Sequence, residues 1–204
     1  MYTPKHFSLH DDPQIASLIA AYPLALIVAA TGQGLLANHI PLLADGDGFI
    51  GHVALANPMH EAIAADSPVL AVFSAGDGYV SPNWYPSKAQ THRAVPTWNY
   101  RVVHVHGTLN FSHEDAEKRR VVSRLTTVFE RQANGAEGWR MGDAPADFIA
   151  SQLAGIVALR LRVIRVEVKA KLSQNRAPAD VDSVAREFET RGDPALAQAM
   201  RRRD

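Results

Sequence analysis

The chain has 204 residues, with 21 lysines and arginines balanced by 21 aspartates and glutamates, so its formal charge at pH 7 is zero. A neutral chain lacks the global positive field with which many proteins bind nucleic acid. The absence of cysteine excludes disulfides, thiolate-bound metals and thiol catalysis. The length and an apolar share of 47% predict one domain over residues 1–204 with a core of its own. We expect a cytoplasmic protein without membrane contact, because no signal peptide or spanning segment is present.

The first predicted elements are one helix and a series of closely spaced strands. Asp11 and Pro13 indicate a helix start, since aspartate favours the N-cap and proline is tolerated in the first turn. Asn57 is the predicted N-cap of a short helix that continues to Ala65. Predicted strands cover residues 24–31, 35–43, 49–56 and 69–73, with a turn at residues 76–78.

The second half contains a predicted loop at residues 82–95 and a strand that begins at Thr97. Along that strand Val103, Val105 and Leu109 should share one face, and His104, His106, Thr108 and Asn110 the other. Ser112 is predicted to cap a long helix. A second helix is predicted at residues 146–153. It is followed by a strand at 156–168, whose polar alternation changes phase after Ile164. The chain ends in a helical tail over about 178–204.

Short hairpin connections favour a mainly antiparallel sheet, and a strand that returns after a helical excursion favours closure into a barrel. The pattern therefore predicts a mainly β fold of the α+β class, in which helices flank an antiparallel sheet.

The segment 80–107 combines aromatic rings, histidines and cations more densely than any other part of the chain. Such a mixture suits a planar, charged small molecule better than a hydrophobic core. Phosphate could be held by His52, by Asn57 at its helix start, and by Ser81, Ser87, Lys88 and Thr97. Trp84, Trp98 and Tyr100 could stack on a flat ring.

Three other interpretations stay open from the residues. His104 and His106, with His39 and His52 from other strands, could ligate zinc, iron or haem iron, but no carboxylate lies nearby in sequence and we predict no metal. Ser81, Ser87 and Lys88 could form a serine–lysine pair, although no nucleophile elbow is present. Arginines at residues 160–165 and 201–203 form basic patches that could contact DNA, without a helix-turn-helix pattern.

Several stretches, in the same order, are similar to the FMN-binding negative transcriptional regulators of PaiB type. They cover nearly the whole chain. They are Met-Tyr-Thr-Pro-Lys-His-Phe at 1–7, His-Ile-Pro-Leu at 39–42, Gly-His-Val-Ala at 51–54 with Ala-Asn-Pro at 56–58, Val-Ser-Pro at 80–82 with Trp-Tyr-Pro-Ser-Lys at 84–88, Val-Pro-Thr-Trp-Asn-Tyr at 95–100, Val-His-Val-His-Gly at 103–107, and residues 171–176.

The resemblance implies a split β-barrel of the FMN-binding type and FMN bound near the interface of a homodimer. It also implies a regulator, in the family of protease synthesis and sporulation, which acts through DNA or a protein partner. With the residue chemistry it predicts ten FMN-binding residues: His39, His52, Asn57, Ser81, Lys88, Thr97, Trp98, Asn99, His104 and His106.

The chain departs from the family pattern at two places between residues 55 and 60, and again at His-Arg-Ala, residues 92–94. Leu55 stands where the family carries a basic residue, and Met59-His60 where an aromatic residue is expected after Asn-Pro. Loss of a basic residue would remove one phosphate contact. Two alternative functions use the same pocket: an NAD(P)H-linked flavin reductase or oxidase, with His104, His106 or Tyr100 as proton donor, and a haem-binding split barrel.

Overall fold

The computed structural model describes residues 1–202. Its strands are β1 Leu24–Thr31, β2 Gly34–Pro41, β3 Leu43–Asp45, β4 Gly48–Ala54, β5 Ser67–Val80, β6 Thr97–Ser112 and β7 Ile156–Lys171. Its helices are α1 Asp12–Ala21, α2 Met59–Ala62, α3 Lys88–Thr91, α4 Asp115–Asn134, α5 Ala146–Ala154, α6 Pro178–Thr190 and α7 Pro194–Arg201. The predicted tail helices are present, whereas Arg203 of the basic tail patch lies outside the described residues.

The strands form one sheet in the order β2-β1-β5-β6-β7-β4-β3. The ladders of β1 with β2 and β5, and of β4 with β3 and β7, are antiparallel. This confirms the antiparallel prediction. The predicted closure of the sheet into a barrel was wrong, because the strand order leaves β2 and β3 as edge strands. With only three residues, β3 offers little backbone for pairing with another strand.

Three local predictions are corrected. The turn expected at residues 76–78 lies inside β5, where Gly76 has a φ of +73° and therefore absorbs a distortion without ending the strand. The strand expected at 35–43 is divided into β2 and β3. Helix α4 begins at Asp115 and its N-cap is Glu114 rather than Ser112, whose hydroxyl accepts from the Glu114 N–H at 3.3 Å.

The predicted loop at residues 82–95 also contains structure, a 3-10 turn at Pro82–Trp84 followed by α3. The face prediction for β6 is confirmed, since Val103, Val105 and Leu109 are fully buried, whereas the residues predicted on the other face, His104, His106, Thr108 and Asn110, are half-buried. In β7 the buried positions change phase as expected, from Val157, Leu159 and Leu161 to Val168 and Ala170.

The chain divides into two compact units. The first unit comprises Met1–Tyr22, Phe73–His104 and Glu167–Asp204, and the second comprises Pro23–Val72 and Val105–Val166. In the first unit α6 and α7 supply most of a core that also includes Val80 and Tyr85. In the second unit Val121 and Leu125 of α4 pack with Ile50 and Ala158. No helix within residues 1–202 has the length and apolar composition needed to cross a membrane.

Candidate functional site

The ten residues predicted to bind FMN fall into both units. The second unit holds His39, His52, Asn57 and His106, and the first holds Ser81, Lys88, Thr97, Trp98, Asn99 and His104. Each set has its own hydrogen bonds, and these show which polar atoms are already engaged.

In the second unit, Asn57 organises the link between β4 and α2. Its Nδ2 donates to Asn38 Oδ1 on β2 at 3.0 Å, and its Oδ1 accepts from the Met59 N–H at 3.0 Å. The prediction of Asn57 as the N-cap was wrong, because the N-cap of α2 is Pro58, one residue later, and the helix is only four residues long and ends at Ala62. His39 lies next to Asn38 in sequence and is exposed.

His52 projects from β4 and is half-buried. Its Nδ1 is shielded from solvent and has no hydrogen-bond partner among the described residues. Burial lowers the pKa of this histidine, because removal of water disfavours the charged imidazolium. At neutral pH the ring is therefore uncharged and can donate from one nitrogen while it accepts at the other.

The departures from the family pattern between residues 55 and 60 lie in the same part of the second unit. Leu55 is 45% exposed, and its carbonyl oxygen lies 2.9 Å from His60 Nε2. The His60 ring also contacts the rings of Phe111 and His113 edge-on. His60 is thus held against the protein, and neither position supplies the fixed positive charge of an arginine or lysine.

In the first unit, Ser81 and Lys88 serve the turn that follows β5. The Ser81 hydroxyl accepts from the Asn83 N–H at 3.2 Å, and Lys88 Nζ donates to Asn83 Oδ1. The next serine, Ser87, donates to a carboxylate oxygen of Asp180 on α6 at 2.7 Å. These bonds fix the Trp-Tyr-Pro-Ser-Lys stretch against α6.

Thr97 and Asn99, at the start of β6, are also engaged within the first unit. The Thr97 hydroxyl accepts from Lys171 Nζ. Asn99 is fully buried; its Oδ1 accepts from the Ser173 hydroxyl at 3.1 Å, and its Nδ2 lies 3.4 Å from Met200 Sδ. Asn99 therefore connects β6 to the C-terminal segment, and its role as an FMN ligand stays a prediction.

Trp98 and the two histidines of β6 are the remaining predicted residues. Trp98 is 52% exposed and meets Tyr79 edge-on, at 6.1 Å between ring centroids. His104 is half-buried, and a ring nitrogen of His104 and a carboxylate oxygen of Glu167 lie within 4.8 Å of one another. His106 follows two residues along the strand and is also half-buried.

Sequence reasoning missed the partners that come from β7 and the segment after it, namely Glu167, Lys171, Ser173 and Asp180. The stretch 171–176 carried a signal through its similarity to the family, but nothing local in it indicates which side chains it meets. Its contacts to Thr97 and Asn99 join residues 74 positions apart.

Comparison with solved structures shows that the fold is the split-barrel fold. Among solved structures, the flavocytochrome Anf3 from Azotobacter vinelandii matches with a TM-score of 0.63 and 14% identity, over 83% of this chain and 72% of that one. The FAD and heme binding protein from Mycobacterium smegmatis matches with a TM-score of 0.59 and 21% identity, over 85% of this chain and 78% of that one.

The sequence identifies the family. Residues 1–165 match the family described as "Putative FMN-binding domain", and the chain belongs to that family. The protein "Protease synthase and sporulation protein PAI 2" of Bacillus subtilis is 28% identical over 203 residues, which cover 97% of this chain and 94% of the relative. The chain is thus a homologue of PAI 2 with the FMN-binding split-barrel fold.

Proposed function

We propose that this chain binds FMN through the second-unit group of His39, His52 and Asn57 and acts as a flavin-responsive negative regulator of transcription. The family supplies the ligand, and the name of PAI 2 supports a role in controlling protease synthesis and sporulation. The structural observation that carries the proposal is the placement of His52, half-buried and uncharged, on β4 and of Asn57 on the connection that follows that strand.

The chemistry of this group fits FMN. A phosphate or flavin oxygen accepts hydrogen bonds, and His52 can offer a ring N–H without the cost of burying a charge. Asn57 holds the β4–α2 connection in place through its bond to Asn38, so the donors are positioned before the ligand arrives. Bound FMN would supply one- or two-electron redox chemistry, and the part of these residues is to bind and orient it.

The test is an absorbance spectrum of the purified protein, followed by titration with FMN and with riboflavin. We expect saturable quenching of flavin fluorescence and weaker binding of riboflavin, which lacks the phosphate. His52→Gln should weaken FMN binding several-fold, and His60→Gln should leave it unchanged. No binding of FMN at micromolar concentration would refute the proposal, and a haem Soret band would replace flavin with haem.

The same proposal includes a cytoplasmic homodimer. The middle of β7 exposes large apolar side chains that a lone protomer leaves in water, Ile164 at 64% and Val166 at 41%. A second copy of the chain would cover such a surface. Light scattering at micromolar concentration should give the mass of two chains. Ile164→Asp should then give a monomer, whereas a wild-type monomer would contradict this part of the proposal.

Regulation further requires contact with DNA or with a protein partner. A gel-shift assay with DNA upstream of the chain's own gene tests direct binding. Because phosphate contacts weaken as salt rises, a complex should appear at low salt and dissociate on salt addition. No shift at low salt would refute direct DNA binding and leave a protein partner as the route of regulation.

The proximity of His104 to Glu167 favours a second function, a flavin reductase or oxidase. A histidine whose ring nitrogen lies within 4.8 Å of a carboxylate oxygen can act as a proton donor. Steady oxidation of NADH with added FMN, faster than without the protein and slowed by His104→Gln, would establish this function. A rate equal to that of the protein-free control would exclude the reductase.

A further inference from the structure

Two histidines of the second unit lie side by side, outside the group proposed to bind FMN. They are His60 on α2 and His113, which directly follows β6. Their ring centroids are 5.1 Å apart, and the ring planes meet at 77°. His60 is half-buried and His113 is exposed. Neither is among the four histidines considered as metal ligands from the sequence. We call these two residues the His60–His113 pair.

The hydrogen bond of His60 fixes which of its nitrogens is available to a ligand. His60 Nε2 lies 2.9 Å from the Leu55 carbonyl oxygen. A carbonyl oxygen only accepts, so in the neutral ring Nε2 carries the proton and Nδ1 presents a lone pair. Within residues 1–202 no hydrogen bond engages His60 Nδ1. Histidines that bind metal ions commonly donate their other N–H to a backbone carbonyl in this way, which orients the ring and raises the basicity of the ligating nitrogen.

The elements that carry the pair are fastened to one another. Phe111, near the end of β6, meets the His60 ring edge-on at 6.3 Å between ring centroids. Asn110 and Asp66 exchange two hydrogen bonds: Asn110 Nδ2 donates to Asp66 Oδ1 at 2.8 Å, and Asn110 Oδ1 accepts from the Asp66 N–H at 3.2 Å. These bonds hold the end of β6 against the connection between α2 and β5. The two histidines are therefore positioned before an ion arrives, which lowers the cost of binding it.

The spacing of the two rings suits a single metal ion. A zinc–nitrogen bond is about 2.0–2.1 Å long, and the centroid of an imidazole lies about 1.1 Å beyond its ligating nitrogen. Two imidazoles on one tetrahedral ion therefore have centroids about 5 Å apart, and the centroids of the pair are 5.1 Å apart. Because His113 is exposed and lies beyond the end of β6, its ring can turn to aim a nitrogen at the ion.

The surroundings decide which kind of ion fits. Each histidine is followed in the chain by an exposed glutamate, Glu61 or Glu114, so negative charge lies near the pair. No third histidine or carboxylate in the described part of the chain lies near enough to both rings to complete a three-residue site, so water must fill the other coordination positions. Imidazole suits zinc, nickel and copper, whereas magnesium and calcium require oxygen ligands.

We propose that the His60–His113 pair binds one divalent transition-metal ion through His60 Nδ1 and a ring nitrogen of His113, with water in the remaining positions. The ion would join α2 to the end of β6. Because several positions are held only by water, the ion could take a further ligand there. The site does not depend on FMN binding by the group of His39, His52 and Asn57.

The test is isothermal titration calorimetry of zinc chloride into the full chain without added flavin, with magnesium chloride as the comparison. We expect saturable binding of zinc and none of magnesium. His60→Gln and His113→Gln should each weaken zinc binding at this site by at least about tenfold, because one imidazole alone loses the advantage of two linked ligands. His10→Gln is the matched control, an exposed histidine of the first unit, and should leave zinc binding unchanged.

Thermal unfolding gives a second readout. Zinc should raise the Tm of the wild type, because it binds the folded chain, and should raise the Tm of His113→Gln much less. His113 is exposed, so its replacement should leave the fold intact even if His60→Gln does not fold. Zinc binding that is absent at millimolar concentration, or equal in the wild type and His113→Gln, overturns the proposal. Zinc binding that His106→Gln removes and His113→Gln leaves intact also overturns it, because the ion is then bound at His106. Zinc binding that requires the pair in a chain that does not bind FMN supports this site while the proposed function fails.

Discussion

Asn99 is a predicted FMN ligand whose side chain the structure places between β6 and the C-terminal segment, and Asn99→Ala separates these two roles. The substitution leaves the hydroxyl of Ser173, which is 3% exposed, without its acceptor. A buried polar group left unpaired costs about 1–3 kcal/mol, and the small cavity adds about 1 kcal/mol. The expected loss is therefore about 2–4 kcal/mol, or about 5–15 °C in Tm at roughly 2–4 °C per kcal/mol for a chain of this size.

The assay is urea unfolding of the wild type, Asn99→Ala, Ser173→Ala and the double variant. Because the two side chains share one hydrogen bond, the double variant should be less destabilised than the sum of the single variants, by about 1 kcal/mol. FMN affinity, measured well below the melting temperature, should stay within about twofold of the wild type. Unchanged stability together with a large loss of FMN affinity would refute the structural role and establish Asn99 as a cofactor ligand.

Three further predictions concern the second unit. Asp45 accepts from Arg120 at 2.9 Å and is 16% exposed, so Asp45→Asn should cost about 1–2 kcal/mol, whereas Asp47→Asn, at a 68% exposed side chain, should leave stability nearly unchanged. The hydrogen bond from Arg120 and the nearby arginines lower the pKa of Asp45. Its contribution to the free energy of unfolding is therefore present above about pH 4 and is lost as the pH falls through the lower pKa of the folded state. The free energies of unfolding of the wild type and Asp45→Asn, measured by urea titration, should converge in acid, and a constant difference between them would contradict this. Leu55→Arg should tighten FMN binding about fivefold by adding a cation near the phosphate, with Leu55→Gln as control and riboflavin as control ligand; an equal gain for riboflavin would rule out a phosphate contact. Burial lowers the pKa of His52, so protonation of this histidine in the unfolded chain should reduce stability from about pH 6.5 downward. His52→Gln should flatten the decline in stability between about pH 7 and about pH 5, whereas the exposed control His39→Gln should not. Identical slopes of stability against pH for the two variants would contradict the assignment.

The elements were largely predictable from the sequence because their signals are local. The apolar run that forms β1, the alternation of buried residues along β6 and the phase change in β7 depend on neighbours within a few positions. The wrong predictions of secondary structure arose where packing between distant segments overrode a local sequence signal. Gly76 and Gly78 signal a turn, yet β5 continues through both, and Gly78 lies so close to Phe188 that a Cβ there would be 2.3 Å from the ring.

The candidate site was predictable as a set of residues but not as an arrangement. Family-like stretches identified His52, Asn57 and Lys88, whose chemistry follows from residue type alone. Which atoms are engaged depended on segments far apart in sequence, since Asn99 meets Ser173 and Met200 while His52 Nδ1 meets no partner in the described chain. The sequence by itself determined the family, the strands and the kind of ligand. The tertiary structure alone decided which polar groups support the protein and which are available to bind, because burial and pairing are properties of contacts between distant segments.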